Sequence, residues 1–311
     1  MGALTRVAFL GTPDFAVPSL ERLVQTGHDV ALVVTQPDRP AGRGQGLVAP
    51  PVKRAAEQLG LKVFQPQRLA DELDAFRAAE AEVAIVAAYG EVLTALTLAV
   101  PPRGFLNVHP SLLPQLRGAT PVPSAILEGL ADTGVTVMQV GLGVDSGPIL
   151  AQVGEPVRDD DTGGGLLARL AGLGADLLVE TLPRWLDGSI APRRQESRRA
   201  TYSRTLRRED GRAVFTQPAV ELWRRARAFQ PWPGFFTTWQ GKNLKLPRVE
   251  PLPSRRGHQP GDVFLADAGV AVACGTGALR LMELQLEGKR AMAAAEFVRG
   301  QPAFVGSRLG D

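Results

Sequence analysis

Asn107 and His109 stand two residues apart at the end of an apolar run, Phe105 to Val108, and Asp145 follows in the glycine-bounded segment GLGVDSGPIL. An asparagine amide is a neutral hydrogen-bond donor, and an imidazole can donate, accept or carry a proton. Side by side they could hold an oxyanion as a carbonyl carbon becomes tetrahedral. A carboxylate would orient the imidazole and favour its charged form. Each residue also has an ordinary explanation: His109 as a strand-end cap, Asn107 as a partner for loop backbone, Asp145 as the start of an Asp-Ser-Gly turn. Spacing alone does not choose between them.

The elements that must position these groups can be read from periodicity. Val7 to Gly11 is a buried-type strand, and Val17, Leu20, Leu23 and Val24 put one apolar side on the helix after it. Val30 to Thr35 and Val83 to Ala88 are further strands, Lys53 to Leu59 begins a helix, and Phe105 to Val108 continues the series. Strands alternating with helices predict parallel βαβ units with the sheet covered on both faces. The fold class is α/β, a doubly wound, mostly parallel, Rossmann-like sheet. Side chains at i and i+2 of a strand share a face, so Asn107 and His109 point the same way. Ligands of such sheets gather beyond the carboxyl ends of the strands, where this pair lies.

An amphipathic helix over Leu166 to Leu186 closes the first domain, taken as residues 1–189. Residues 190–208 dissolve into Pro, Ser and Arg and read as a linker. Residues 209–311 open with a helix, Val220 to Phe229. Short segments then alternate with turns: Phe235 to Trp239, Val263 to Leu265, Val270 to Ala273 and Leu279 to Leu286. That pattern predicts a smaller all-β, OB-like barrel.

Composition narrows the class of protein. A chain of 311 residues exceeds the size at which one core usually stops growing. No apolar run approaches the roughly 20 residues that span a bilayer, and Met1 to Gly11 leads straight into a strand, so a soluble protein without a targeting peptide is expected. Cys274 is the single cysteine, which excludes an intrachain disulfide and a thiolate zinc cluster and fits a cytoplasmic setting. The formal charge of +3 is unevenly spread: residues 1–200 carry 18 Lys+Arg against 22 Asp+Glu, residues 201–311 carry 17 against 10. A basic C-terminal part suits a polyanion such as nucleic acid, or is a solubilising surface. GRGQG, from Gly42, matches neither a P-loop nor a dinucleotide fingerprint, and the first strand lacks the G-x-G-x-x-G of a nicotinamide-dependent dehydrogenase.

The longer string NVHPSLLPQLRGATPVPSAILEG, followed by GVTVMQVGLGVDSGPIL, resembles the folate-dependent formyltransferases. That resemblance implies catalysis by Asn107, His109 and Asp145, with 10-formyltetrahydrofolate as donor and no metal. It places part of the folate site at Ser111, Leu112, Leu113 and Pro114, and backbone near Tyr89 and Gly90 against the pterin ring. VAFLGTPDFAVPSL, TQPDRPAGRGQ, VAAYGEVL, RAFQPWPG and ACGTGALRLMELQLEGKRAM are similar to the branch of the family whose acceptor is the α-amine of methionyl initiator tRNA. In that branch the loop from Gln36 to Val52 meets the tRNA acceptor end, which singles out Arg43 and, with it, Arg39. Arg204, Arg207, Arg208, Arg224, Arg225 and Arg227, with Lys242 and Lys245, are the expected contacts to tRNA backbone. Trp223, Trp232 and Trp239 could stack on bases but are better read as packing. Gln115, Leu116 and Gly46 depart from the usual pattern but leave the residues of the trio intact. The rivals are a formyltransferase acting on glycinamide ribonucleotide or a nucleotide amino sugar, and a non-catalytic RNA-binding protein. Nothing calls for more than a monomer.

Overall fold

The computed structural model describes residues 5–41, 46–253 and 257–310. Two compact units emerge. The first holds the chain up to Pro121 with Asp132–Pro156 and Leu167–Ser203; the second holds Val122–Ala131, Val157–Leu166 and the chain from Arg204.

In chain order the first unit has strands β1 (Arg6–Gly11), β2 (Asp29–Val34), β3 (Arg39–Ala41), β4 (Gly46–Val48), β5 (Val63–Phe64), β6 (Val83–Ala87), β7 (Phe105–His109), β8 (Arg117–Gly118), β9 (Asp132–Gln139), β10 (Ile149–Pro156) and β11 (Tyr202–Ser203). The helices before the second unit's main run are α1 (Val17–Gln25), α2 (Pro51–Gln58), α3 (Leu73–Arg77), α4 (Ala95–Leu98), α5 (Pro121–Glu128) and α6 (Gly163–Leu186). One seven-stranded sheet runs β10-β9-β7-β6-β1-β2-β5. β7, β6, β1, β2 and β5 are parallel neighbours, whereas β9 and β10 enter antiparallel. Val7, Ala8, Phe9 and Leu10 are fully buried, as a strand covered on both faces requires. Leu166, Leu170, Leu178 and Leu182 form the buried stripe of α6. Gly174 is what allows that helix to lie close, since a Cβ there would stand 2.7 Å from Val108 Cγ1 and 3.2 Å from Val135 Cγ1.

The stretch read as a linker is not a tether as far as Ser203. Arg193 exchanges two backbone hydrogen bonds with Ile149, both 2.8 Å, and the Thr201 carbonyl accepts from Arg117 N at 2.9 Å. β11 then pairs parallel with β8. Backbone pairing needs no apolar periodicity, so a Pro/Ser/Arg composition conceals it.

The second unit carries α7 (Ala219–Ala228), then β12 (Phe236–Trp239), β13 (Lys242–Leu252), β14 (Val263–Ala266), β15 (Gly269–Ala273), β16 (Ala278–Leu286), β17 (Met292–Ala293) and α8 (Ala294–Gly300). Its antiparallel sheet is ordered β12-β13-β16-β15-β14, with β17 also on β16. β13 is the longest of these strands, yet Pro247 and Pro251 hide it in the sequence. Proline cannot donate to a ladder, and the β13–β16 register shifts between Lys245 and Arg248 and again at Val249. Trp239 anchors the core, edge-on to Phe304 at 5.2 Å and Phe297 at 5.7 Å, with its indole N–H donating to Ser307 Oγ at 3.0 Å. It is 3% exposed and packs rather than presenting a stacking face.

Candidate active site

The site is built on β7. Its neighbours fix the register: Asn107 lies opposite Val86 of β6 and Met138 of β9, and His109 opposite Thr136. Leu106 and Val108 face the other way and are buried, as strand alternation demands. After β9 the chain turns back so that Asp145 reaches the carboxyl end of β7. The return is tight at Gly147, where a Cβ would sit 1.8 Å from the Gln139 carbonyl oxygen, so no side chain fits. Asp145 itself has φ of +43°, a left-handed conformation that Asp accepts more readily than most residues.

The three predicted residues come together through the Asp145 carboxylate. Asn107 Nδ2 donates to its Oδ1 at 3.4 Å, and Gly118 N donates to Oδ2 at 2.8 Å. His109 Nδ1 faces the same Oδ2 at 3.7 Å, beyond hydrogen-bond range. His109 Nε2 lies 3.1 Å from the Leu116 carbonyl oxygen. That oxygen can only accept, so the ring proton belongs on Nε2 and the Nδ1 lone pair faces the site. His109 is 4% exposed. Burial pulls its pKa below the ordinary value; the Asp145 charge and the Leu116 carbonyl pull the other way. The resting imidazole is therefore neutral but stands where a positive charge would find two partners. Desolvation here outweighs the nearby carboxylate, whose expected effect was to favour the charged form.

The segment Ser111 to Pro114 is held from below. Thr136, fully buried, donates to the Ser111 carbonyl at 2.6 Å and accepts from Leu113 N at 3.1 Å. Gln152 Nε2 donates to both Thr136 Oγ1 and the Leu113 carbonyl at 2.9 Å. Ser111 Oγ donates to the Gln115 carbonyl at 2.7 Å, and Leu113 packs with Met138 and Ile149. Ser111 and Leu113 are thus turned inward; Leu112 and Pro114 are the half-buried members.

A cavity of about 670 Å³ opens at the carboxyl ends of β1, β2 and β6, lined by Thr12, Gln36, Arg39, Arg54, Tyr89 and Gly90 among others. Tyr89 offers backbone only. Its ring is 1% exposed within the core, and burial, with the Glu91 charge beside it, raises the phenol above its usual range. Its carbonyl accepts from Thr12 Oγ1 at 2.8 Å. Arg39 sits on the hairpin β3–β4 and donates to Gln36 Oε1 at 3.2 Å. Arg43 lies outside the described residues.

In the second unit Arg207, Arg208, Lys242 and Lys245 are exposed. Arg225 and Arg227, expected among them, are instead committed inward. Arg225 Nη1 donates to Gln217 Oε1 at 2.6 Å and Nη2 to the Arg212 carbonyl at 3.2 Å. Arg227 Nη1 donates to the Arg158 and Asp161 carbonyls at 2.9 and 3.3 Å while its guanidinium covers Trp223 at 4.0 Å. Arg204 is tied to Asp210, whose carboxyl is held down at about 2 by that bond. Trp232 is exposed at 56%.

Sequence reasoning missed Thr136, Gln152 and, most of all, Gln195. None lies in a chemically suggestive pattern; each matters through a contact distant in the chain. Among the described residues no group of three or more His, Cys, Asp or Glu could hold a metal ion. None of the described helices is long and apolar enough to cross a membrane.

The mostly parallel sheet carries the Asn107, His109 and Asp145 cluster at one strand's carboxyl end, and the chain belongs to the formyl transferase family. The model of that family, "Formyl transferase", matches residues 5–182, and "Formyl transferase, C-terminal domain" matches residues 205–302. Similar proteins include the methionyl-tRNA formyltransferase of Roseiflexus sp. (strain RS-1), 48% identical over 98% of this chain and 95% of that one. Among solved structures, HypX from Aquifex aeolicus superposes with a TM-score of 0.66 at 16% identity, over 95% of this chain and 47% of that one. The sugar 3N-formyl transferase WlaRD gives 0.65 at 16% identity, over 93% and 100%. The two structures share the fold. By its close relatives the chain belongs to the methionyl-tRNA formyltransferase family.

Proposed function

We propose that the protein transfers the formyl group of 10-formyltetrahydrofolate to the α-amino group of methionyl initiator tRNA, with Asn107, His109 and Asp145 at the reacting atoms. The observation that carries this reading is the single carboxylate shared by Asn107 Nδ2, Gly118 N and the face of His109 Nδ1. The donor amide is an acyl group on nitrogen, so transfer forms a bond from the acceptor nitrogen to the formyl carbon. The bond to N10 then breaks, and one proton passes from the amine to N10. Asn107 Nδ2 donates to the oxyanion. Because Nε2 is held by the Leu116 carbonyl, Nδ1 is the ring atom free to take the amine's proton and hand it on. The imidazolium formed in between stands beside Asp145, which stabilises it as the barrier is crossed.

The Ser111–Pro114 segment and the backbone at Tyr89 and Gly90 are assigned to the folate. Arg39 and Arg54, which line the same cavity as Tyr89 and Gly90, can meet phosphates of the acceptor end as it approaches the folate. Arg207, Arg208, Lys242 and Lys245 are assigned to tRNA backbone. The test is a product assay with 10-formyltetrahydrofolate and, in turn, methionyl initiator tRNA, glycinamide ribonucleotide and a nucleotide amino sugar. Formylated methionyl-tRNA is expected alone. Comparable turnover on either small acceptor would overturn the assignment.

A further inference from the structure

Asp145, held in a left-handed backbone, is gripped from behind by a residue of the segment that composition marks as a linker. Gln195 Nε2 donates to the Asp145 carbonyl at 2.9 Å and to the Gly147 carbonyl at 2.7 Å. Its Oε1 accepts from Arg117 Nε at 3.1 Å and Nη2 at 2.8 Å. A guanidinium only donates and a carbonyl only accepts, so the orientation of this amide is fixed by its partners. Arg117 is itself 4% exposed, and its Nη1 donates to the Tyr202 hydroxyl at 3.3 Å. The next residue, Gly118, gives its N–H to Asp145 Oδ2. The loop is thus held at its backbone by Gln195 and at its carboxylate by the main chain beside Arg117, and both holds lead to one buried arginine.

We infer that Gln195, locked by Arg117, is a positioning residue that sets the Asp145 carboxylate against Asn107 and His109. This rests on the reading of Asp145 as part of the reacting site. Loss of a partner that orients a functional group through its outer shell typically costs 10- to 100-fold. Gln195 touches Asp145 through the backbone, so its effect belongs in kcat rather than in binding of either substrate.

Two variants test this. Gln195→Met keeps the volume and removes every hydrogen bond; Gln195→Glu keeps an acceptor for Arg117 but turns a second oxygen toward the two loop carbonyls. Both are expected to lower kcat by about 10- to 100-fold with both KM values within about twofold. In Gln195→Glu the pair with Arg117 becomes ionic while two loop carbonyls lose their donor, so a thermal melt is run beside the kinetics to show that the variant is folded. In an Asp145→Asn background, Gln195→Met is expected to add less than about a further twofold, since residues acting as one unit are not additive. A kcat near wild type in folded Gln195→Glu, or a full independent loss on top of Asp145→Asn, would overturn the inference. Asp145→Asn alone separates the two levels: if it turns over normally, the reading of Asp145 fails. If it is impaired while both Gln195 variants are normal, only the role of Gln195 fails.

Discussion

Replacing Asp145 by Asn removes one charge at nearly constant size, which makes the electrostatic part of its cost calculable. Asn tolerates the left-handed backbone that Asp145 adopts at φ of +43°, so the loop can keep its path. The carboxylate oxygen nearest His109 is 3.7 Å from Nδ1, with side-chain exposures of 5% for His109 and 18% for Asp145, so solvent screens the pair only in part. At an effective dielectric near 20, opposite charges at that separation attract by about 4 kcal/mol. If that attraction exists only while the imidazole is protonated, losing it raises the barrier by up to the same amount, about a thousandfold in kcat. An amide also cannot serve both Gly118 N and Asn107 Nδ2 as an acceptor, which adds misplacement of Asn107. The expected kcat is therefore about 100- to 1000-fold below wild type, with the KM for the folate donor barely changed. Initial rates of formyl-methionyl-tRNA formation over a range of both substrates measure this, and a thermal melt checks that the variant is folded. A kcat within about tenfold of wild type would show that no charged imidazole forms beside Asp145.

The remaining expectations concern the supports of the site. Thr136→Val removes a buried hydroxyl that joins Ser111, Leu113 and Gln152, leaving Leu113 N–H without its partner; each orphaned group costs about 1–3 kcal/mol in a urea unfolding measurement. A loss under about 0.5 kcal/mol would mean that the loop is held by other contacts. Lys242→Glu and Lys245→Glu are each expected to raise the KM for methionyl-tRNA, leave that for folate alone, and lower the salt slope of tRNA binding by at least about one. An unchanged slope would move the tRNA contact off this surface.

Local patterns were legible wherever geometry ties neighbours in the chain to neighbours in space. The apolar runs at Val7 to Gly11 and Val83 to Ala87 become central strands because a strand covered on both faces must be apolar throughout. Asn107 and His109 share a face because strand side chains alternate. Charge was legible as an amount but not as a direction. Arg225 and Arg227 count toward a basic domain, yet their guanidinium groups donate to backbone carbonyls. β13 was hidden because two prolines and a shifted register break the alternation by which strands are recognised.

By itself, then, the sequence determined which groups could do chemistry and that two of them stand together on one strand. The family resemblance grouped Asp145 with them, but only the tertiary structure showed how Asp145, 38 residues beyond Asn107, meets them, and that Gln195, 50 residues further on, braces it. The reason is physical. A helix or a strand repeats its geometry and leaves a period in the residues. A hydrogen bond between distant loops is made once, depends on the path of everything between, and leaves none.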